Sequence, residues 1–239
     1  MKIQLGDGID GLLSLKPGSA SLVLSDLPSG ETKAPFDKKV DLAWLWPAVW
    51  GALKPNGVAC LMASSLGFAC EIRSYQLKNF RYDLVWRKSL ATGHLNAQHR
   101  PLRIHEFVLV FWRAGQRPKN KTTYQPQMLE TGRAIHAATR TSHGQNYGPH
   151  TKITKSRAGA TDRYPVSVLD FASVGTSSST RVHPQQKPVD LMRWLIATYT
   201  RPDELVVDPY AGSGATGIAA EERGRKFAGW DTSPRFASS

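Results

Sequence analysis

Two rhythms of apolar and polar residues alternate along the first 113 positions. SLVLSD (21–26) is a continuous apolar run closed by an acid, the pattern of a strand covered on both faces. DLAWLWPAVWGALK (41–54) carries apolar residues at helical spacing, with Pro47 expected to kink the helix or lie near its first turn. KPNG stops it, and GVACLMA (57–63) reads as the next strand. SLGFACEIRSYQLKN (65–79) reads as a helix opened by a Ser65 cap. YDLVWRK (82–88) and HEFVLVFW (105–112) read as strands, separated by the loop-like, basic stretch SLATGHLNAQHRPLRI (89–104). Residues 113–180 lose the periodicity and are rich in Gly, Pro, Ser, Thr and basic residues; only short elements are expected there, such as a helix over MLETGRAIHAATR (128–140) broken near Gly132. Regular structure returns with a helix at PVDLMRWLIATYT (188–200), a strand at ELVVDP (204–209), a helix at SGATGIAAEERG (213–224) and a strand at KFAGWD (226–231). This order predicts an α/β fold, a mostly parallel, doubly wound sheet with helices on both faces. The expected organisation is one domain split into halves, 1–113 and 181–239, around an insertion at 114–180.

Charge adds a partner to this picture. The 239-residue chain has 31 Lys and Arg against 19 Asp and Glu, a net charge of +12. Residues 113–187 hold 12 of the basic and 3 of the acidic side chains, so about a third of the chain carries most of the excess. Clustering of this kind points to a polyanion, and DNA or RNA is the expected partner. No run of 18 apolar residues predicts a membrane span, and MKIQLGDGID lacks the apolar core of a secretion signal. Cys60 and Cys70, the only cysteines, both sit in apolar segments and are expected to be buried thiols rather than a disulfide or a metal site. An intracellular, cytoplasmic setting is expected.

DPYAGSGATG (208–217) supplies candidate chemistry. Gly212, Gly214 and Gly217 follow a predicted strand and open a predicted helix; the next strand ends in Asp231, 19 residues after Gly212. Glycines let backbone pass close to a ligand, and a carboxylate at the next strand end accepts hydrogen bonds from ribose hydroxyls. An adenosine-containing cofactor is implied, either a dinucleotide or S-adenosylmethionine. Only 22 residues follow Gly217, so the remaining strands are expected from the N-terminal half, which would make the domain circularly permuted. Asp208 would repel a pyrophosphate but pair with an ammonium group. Both points favour S-adenosylmethionine over an NAD-type oxidoreductase.

HPQQKPVDLMRWLIATYTRPDELVVDPYAGSGATGIAAEERGRKFAGWD (183–231) resembles the C-terminal half of the permuted, β-group DNA amino-methyltransferases. LGDGIDGLLSLKPGSASLVLSDLPSG (5–30) resembles their opening, where a strand ends in D-P-P-Y, and residues 85–113 resemble a phage and prophage subset with D-L-P-Y. The resemblance implies a Rossmann-like methyltransferase fold with 114–180 as the target-recognition region, DNA as partner, S-adenosylmethionine as cofactor, and often a homodimer. It implies that Asp208 meets the methionine part of the cofactor, with Tyr210, Gly212, Ser213, Gly214 and Thr216 forming the turn beneath it. Gln185 and Lys187 would hold the carboxylate end, Asp231 the ribose, Trp230 would flank the adenine, and Asp7 lies on a turn bordering it. Arg87, Lys88, Arg100, Arg103, Lys152, Lys155 and Arg157 are the candidate DNA-binding cations.

By the same resemblance, Asp26, Leu27, Pro28 and Ser29 form the catalytic motif. A carboxylate and the Leu27 carbonyl would accept the two protons of an exocyclic amine, adenine N6 or cytosine N4, and an initial Asp leans toward adenine. The fourth position is aromatic in relatives and stacks on the flipped base; here it is Ser29. Three readings follow: Phe36 or Trp44 takes over the stacking, the target is unusual, or the protein is catalytically weak or dead.

Overall fold

In the computed structural model, residues 2–34, 37–114, 123–134, 159–175 and 186–237 are described. One compact unit comprises residues 1–125 and 167–239, and a second comprises residues 126–166.

The larger unit is built on one sheet. Its strands are β1 (Ile3–Leu5), β2 (Ala20–Asp26), β3 (Leu53–Ala63), β4 (Phe80–Thr92), β5 (Arg103–Phe111), and, after the two strands of the smaller unit, β8 (Val168–Asp170), β9 (Leu205–Asp208) and β10 (Lys226–Asp231). Their order is β1-β10-β9-β2-β3-β5-β4-β8. The first five in that order run parallel; β5 is antiparallel to both β3 and β4, and β8 is parallel to β4. Helices α1 (Gly8–Ser14), α2 (Leu42–Ala52) and α3 (Leu66–Ser74) cover one face, and α4 (Val189–Tyr199) and α5 (Ala215–Glu222) the other. Alternation along β2 supplies both cores: Val23 packs with α1–α3, while Leu22 and Leu24 pack with α4 and α5. Burial on both faces explains why SLVL reads as an unbroken apolar run.

The chain order creates the site. From β2 the chain passes through α2 to β3 on one side; from β9 it passes through α5 to β10 on the other. The adjacent strands β2 and β9 therefore form the point where connections diverge, which opens a crevice at the carboxyl edge.

Several elements depart from the sequence reading. Leu129–Glu130, expected in a helix, form strand β6 and pair antiparallel with β7 (Asp162–Arg163) in the smaller unit. A ladder to residues more than thirty positions away outweighs the helix propensity of Met and Leu in that window. Val168–Asp170 adds an edge strand to the main sheet from within the stretch read as an insertion. β4 and β5 extend into residues read as loop; Pro47 lies inside α2, past the first turn that was one of its two expected places. Cys60 is buried but Cys70 is exposed, because the buried stripe of α3 is Phe68, Ala69 and Ile72. Among the described residues, no helix is long and apolar enough to cross a membrane.

One packing contact makes a stability prediction. A Cβ on Gly11 would lie 2.3 Å from the Trp230 ring, so α1 rests directly on that indole. Gly11→Ala should lower stability by about 1–3 kcal/mol through overpacking, although Ala is the better helix former by about 1 kcal/mol. Urea denaturation checks this; an unchanged or higher midpoint would show that α1 can shift at no cost.

Candidate active site

Three parallel strands end in aspartates at one edge of the sheet. Asp26 closes β2, Asp208 closes β9 and Asp231 closes β10, with β9 between the other two. All three line a cavity of about 630 Å³, within the size range of small-molecule sites. The turn after β1 (Asp7), the turn after β9 (Tyr210, Gly212, Ser213) and the start of α5 (Thr216) complete that end, while Leu27, Pro28 and Lys187 lie toward Asp26.

Each acid is held differently. The Asp208 carboxylate accepts hydrogen bonds from Ser25 Oγ and Thr216 Oγ1, both at 2.6 Å, and from the Tyr210 N–H at 3.1 Å. Burial pushes its pKa up to about 6 against those hydrogen bonds. Asp231 accepts from Gly212 N at 3.1 Å and Ser233 N at 2.7 Å, tying the glycine turn to the end of β10. Gly212 and Gly214 have φ of 49° and 78°, the left-handed region that favours glycine. Asp7 caps α1 by accepting from Ile9 N and Asp10 N. The walls carry six aspartates (Asp7, Asp26, Asp37, Asp41, Asp208, Asp231) and three lysines (Lys38, Lys39, Lys187). That excess of negative charge suits a cationic ligand, and the acceptors at Asp231 suit hydroxyl groups.

Asp26 is paired. Lys187 Nζ lies 2.7 Å from its Oδ2 and 3.0 Å from Glu106 Oε2. Burial raises the Asp26 carboxyl above the usual range, Glu106 and Asp37 add to this, and Lys187 opposes it. Burial also works against the Lys187 charge, but Asp26 and Glu106 together outweigh it and raise the ammonium pKa. The loop after Asp26 is organised by Asp37, whose carboxylate accepts from Gly30 N, Thr32 N and the Thr32 hydroxyl at 2.7–2.8 Å. Glu31 in the same loop accepts from Ser64 Oγ at 3.0 Å and from Ser65 Oγ, the cap of α3.

The structure gathers most of the catalytic and cofactor candidates around the cavity and places others elsewhere. Trp230 is buried against Gly11, part of the core and not of the cavity wall; its side chain alternates with the cavity-facing Asp231, so it lies under the sheet edge. Gly214 shapes the turn without lining the cavity, and Ser29 lies outside the wall as well. Lys187 lines the cavity, but its ammonium meets Asp26 and Glu106. Lys88 is no surface cation: it is buried in phase with Leu84 and Trp86 on β4 and pairs with Glu106 at 3.1 Å. Arg87 is exposed and held by Asp170 through two bonds of 2.5 and 2.7 Å. Arg103 donates to the Ser64 carbonyl, and Arg100 is exposed. Gln185, Lys152, Lys155, Arg157 and Phe36 lie outside the described residues. Glu106 escaped the sequence reading; its signal is an acid in phase with Val108 and Val110, directly before the apolar run Phe107–Phe111.

Known proteins are similar to this chain in sequence and in fold. The Lactococcus lactis type II methyltransferase M2.LlaDCHI is 23% identical over 210 residues, 84% of this chain and 65% of its own length. M2.DpnII of Streptococcus pneumoniae is 24% identical over 218 residues, 88% of this chain and 66% of its own. The chain thus spans just under two thirds of these curated relatives. Among solved structures, the M1.HpyAVI–SAM complex superposes with a TM-score of 0.62 at 19% identity, covering 98% of this chain and 94% of that one. PvuII DNA methyltransferase, cytosine-N4-specific, has a TM-score of 0.62 at 20% identity over 97% of this chain and 82% of that one. These neighbours establish a methyltransferase fold. Residues 43–239, from the first turn of α2 through the β9 glycine turn, match the DNA methylase family of N6 and N4 methyltransferases; to that family this chain belongs.

Proposed function

We propose that this protein is an S-adenosylmethionine-dependent DNA amino-methyltransferase whose amine acceptor is Asp26. The observation that carries this is the shared cavity: the glycine turn and Asp231 lie at one end and Asp26 at the other, with Asp208 between them on the central strand. The negative walls fit a cationic cofactor. Asp231 has acceptor capacity left for ribose hydroxyls, Asp208 for the ammonium group, and Asp7 borders the same pocket. S-adenosylmethionine supplies a methyl group made electrophilic by its sulfonium.

The chain's own part is to prepare the nucleophile. An exocyclic amine is a poor nucleophile because its lone pair is delocalised into the ring. Asp26 accepts one N–H and the Leu27 carbonyl the other, which favours a pyramidal nitrogen. Leu27, 4% exposed, keeps water from that position. Asp26 need not be a strong base, since the amine sheds its proton readily after methylation. The target base must leave the duplex, or the DNA must be single-stranded.

Within the family the reading is of a permuted β-group member close to the D-L-P-Y subset, modifying adenine N6, with the basic 114–180 stretch recognising DNA and the chain acting as a homodimer. Incubation with labelled cofactor and mixed DNA, followed by nucleoside mass spectrometry, should place label in N6-methyladenine. Cofactor binding without label in any DNA would overturn it, and N4-methylcytosine would overturn the adenine assignment.

A catalytically weak DNA-binding member is the second reading, favoured by Ser29. Trp44 offers a replacement ring: it is 69% exposed in the first turn of α2, whose cap Asp41 lines the cavity. Stacking is worth about 1–3 kcal/mol per base. Ser29→Tyr should therefore raise turnover on DNA by about tenfold or more if stacking is missing; if Trp44 already supplies it, Ser29→Tyr changes little and Trp44→Ala lowers turnover by a similar factor.

A further inference from the structure

Four charges of alternating sign run from the cavity into the sheet. Lys88 Nζ on β4 is 3.1 Å from Glu106 Oε1 on β5. Glu106 Oε2 is 3.0 Å from Lys187 Nζ, just before α4, and Lys187 is 2.7 Å from Asp26 Oδ2 at the end of β2. Side-chain exposure is 7% at Lys88, 11% at Glu106, 12% at Lys187 and 29% at Asp26, so the chain surfaces at the acid. Buried charges of this kind cost desolvation, and apolar residues of similar volume would fill the same space with no such cost. Lys88 and Glu106 do not themselves line the cavity. Among the described residues, the ion pair that joins them to the site is Glu106–Lys187.

An ammonium shared with no second carboxylate would be committed wholly to Asp26. It would hold the acid ionised, but it would also compete with the amine for the same oxygens. Glu106 supplies the second carboxylate, and Lys88 keeps Glu106 charged: burial alone would raise the Glu106 carboxyl, yet Lys187 and Lys88 hold it below the usual range. We infer that Glu106, held by Lys88, is a positioning residue that divides the Lys187 ammonium between two carboxylates and leaves Asp26 free to accept an amine N–H. This rests on Asp26 being the amine acceptor.

The charged groups facing Asp26 are Lys187, Glu106 on β5, Asp37 in the following loop and Asp208 on β9. Their signs predict opposite responses from two neighbouring substitutions. Glu106→Gln removes a like charge from Asp26 and commits Lys187 to it, so Asp26 should titrate lower, by about one pH unit. Lys187→Gln leaves Asp26 among three carboxylates, so it should titrate higher, by about one unit or more. A change acting only through stability would not reverse sign between them.

The test is a carbon-13 carboxyl titration of the full chain labelled at Asp, without DNA or cofactor, with the Asp26 resonance identified by its loss in Asp26→Asn. Glu106→Gln leaves Lys88 with only the Thr92 hydroxyl at 3.3 Å among its described partners, and such a chain can fail to fold. The double variant Lys88→Met/Glu106→Met removes both buried charges and should shift Asp26 downward in the same way. The acid limb of kcat against pH should follow, moving down for the Glu106 variants and up for Lys187→Gln. In the Glu106 variants kcat at neutral pH should also fall, with the cofactor Kd unchanged. An Asp26 midpoint that stays put, or moves the same way in all variants, overturns the inference. If the wild-type chain methylates no DNA, the reaction assignment fails while the carboxyl titration still decides the network.

Discussion

An Asp26→Ala variant is expected to bind S-adenosylmethionine with near-normal affinity and to methylate DNA about a thousandfold more slowly. The loss follows from geometry: Asp26 ends β2 at the cavity wall, and nothing at position 26 would then accept the amine proton. The variant should fold, because Lys187 keeps Glu106 at 3.0 Å and is not left as a lone buried charge. Calorimetry measures the binding, and single-turnover transfer of labelled methyl measures the step. The pair of measurements matters, since a misfolded site would lose both. Near-normal transfer would remove Asp26 from the catalytic role. The wild-type rate should itself fall at low pH: burial raises the Asp26 pKa, the acceptor must be ionised, and so activity is lost as pH drops through that raised value.

Asp231→Ala should have the opposite signature. Its carboxylate is proposed to take the ribose hydroxyls, and it also holds Gly212 N at 3.1 Å and Ser233 N at 2.7 Å. A hydrogen bond to a charged group contributes about 1.5–3 kcal/mol, so the cofactor Kd should rise by one to two orders of magnitude or more. At saturating cofactor the methyl-transfer rate should largely recover, because Asp26 and Leu27 lie at the other end of the cavity. A fall in kcat without a change in Kd would move Asp231 from the cofactor to the reacting atoms.

Parts of this site were legible in the sequence for local reasons. SLVLSD, ELVVDP and KFAGWD each announce a buried strand closed by an acid, and the structure ends β2, β9 and β10 on those three aspartates. The glycines of DPYAGSGATG belong to a turn needing positive φ, which Gly212 and Gly214 adopt. Other features were hidden. Lys88 looks like a surface cation in a basic stretch until β4 is known to run to Thr92 and to bury its alternate residues. Trp230 neighbours Asp231 in sequence, but a strand sends adjacent side chains to opposite faces. Cys70 lies one position from the buried Ala69, and a turn of 100° per residue carries it to solvent.

Periodicity, turn residues and strand-end acids are short-range properties, so the sequence by itself determined most element types, the mostly parallel α/β class and the acids that close β2, β9 and β10. Which acids meet, and through what, was decided by the tertiary structure. Ser25 and Asp208 are 183 residues apart and share a 2.6 Å hydrogen bond. The Lys88–Glu106–Lys187–Asp26 chain draws on two antiparallel strands, a segment before a helix and a parallel strand end. No window of sequence contains such a set. Strand order and register come from packing two cores at once against the sheet, and only that packing brings the buried charges into line with the cavity.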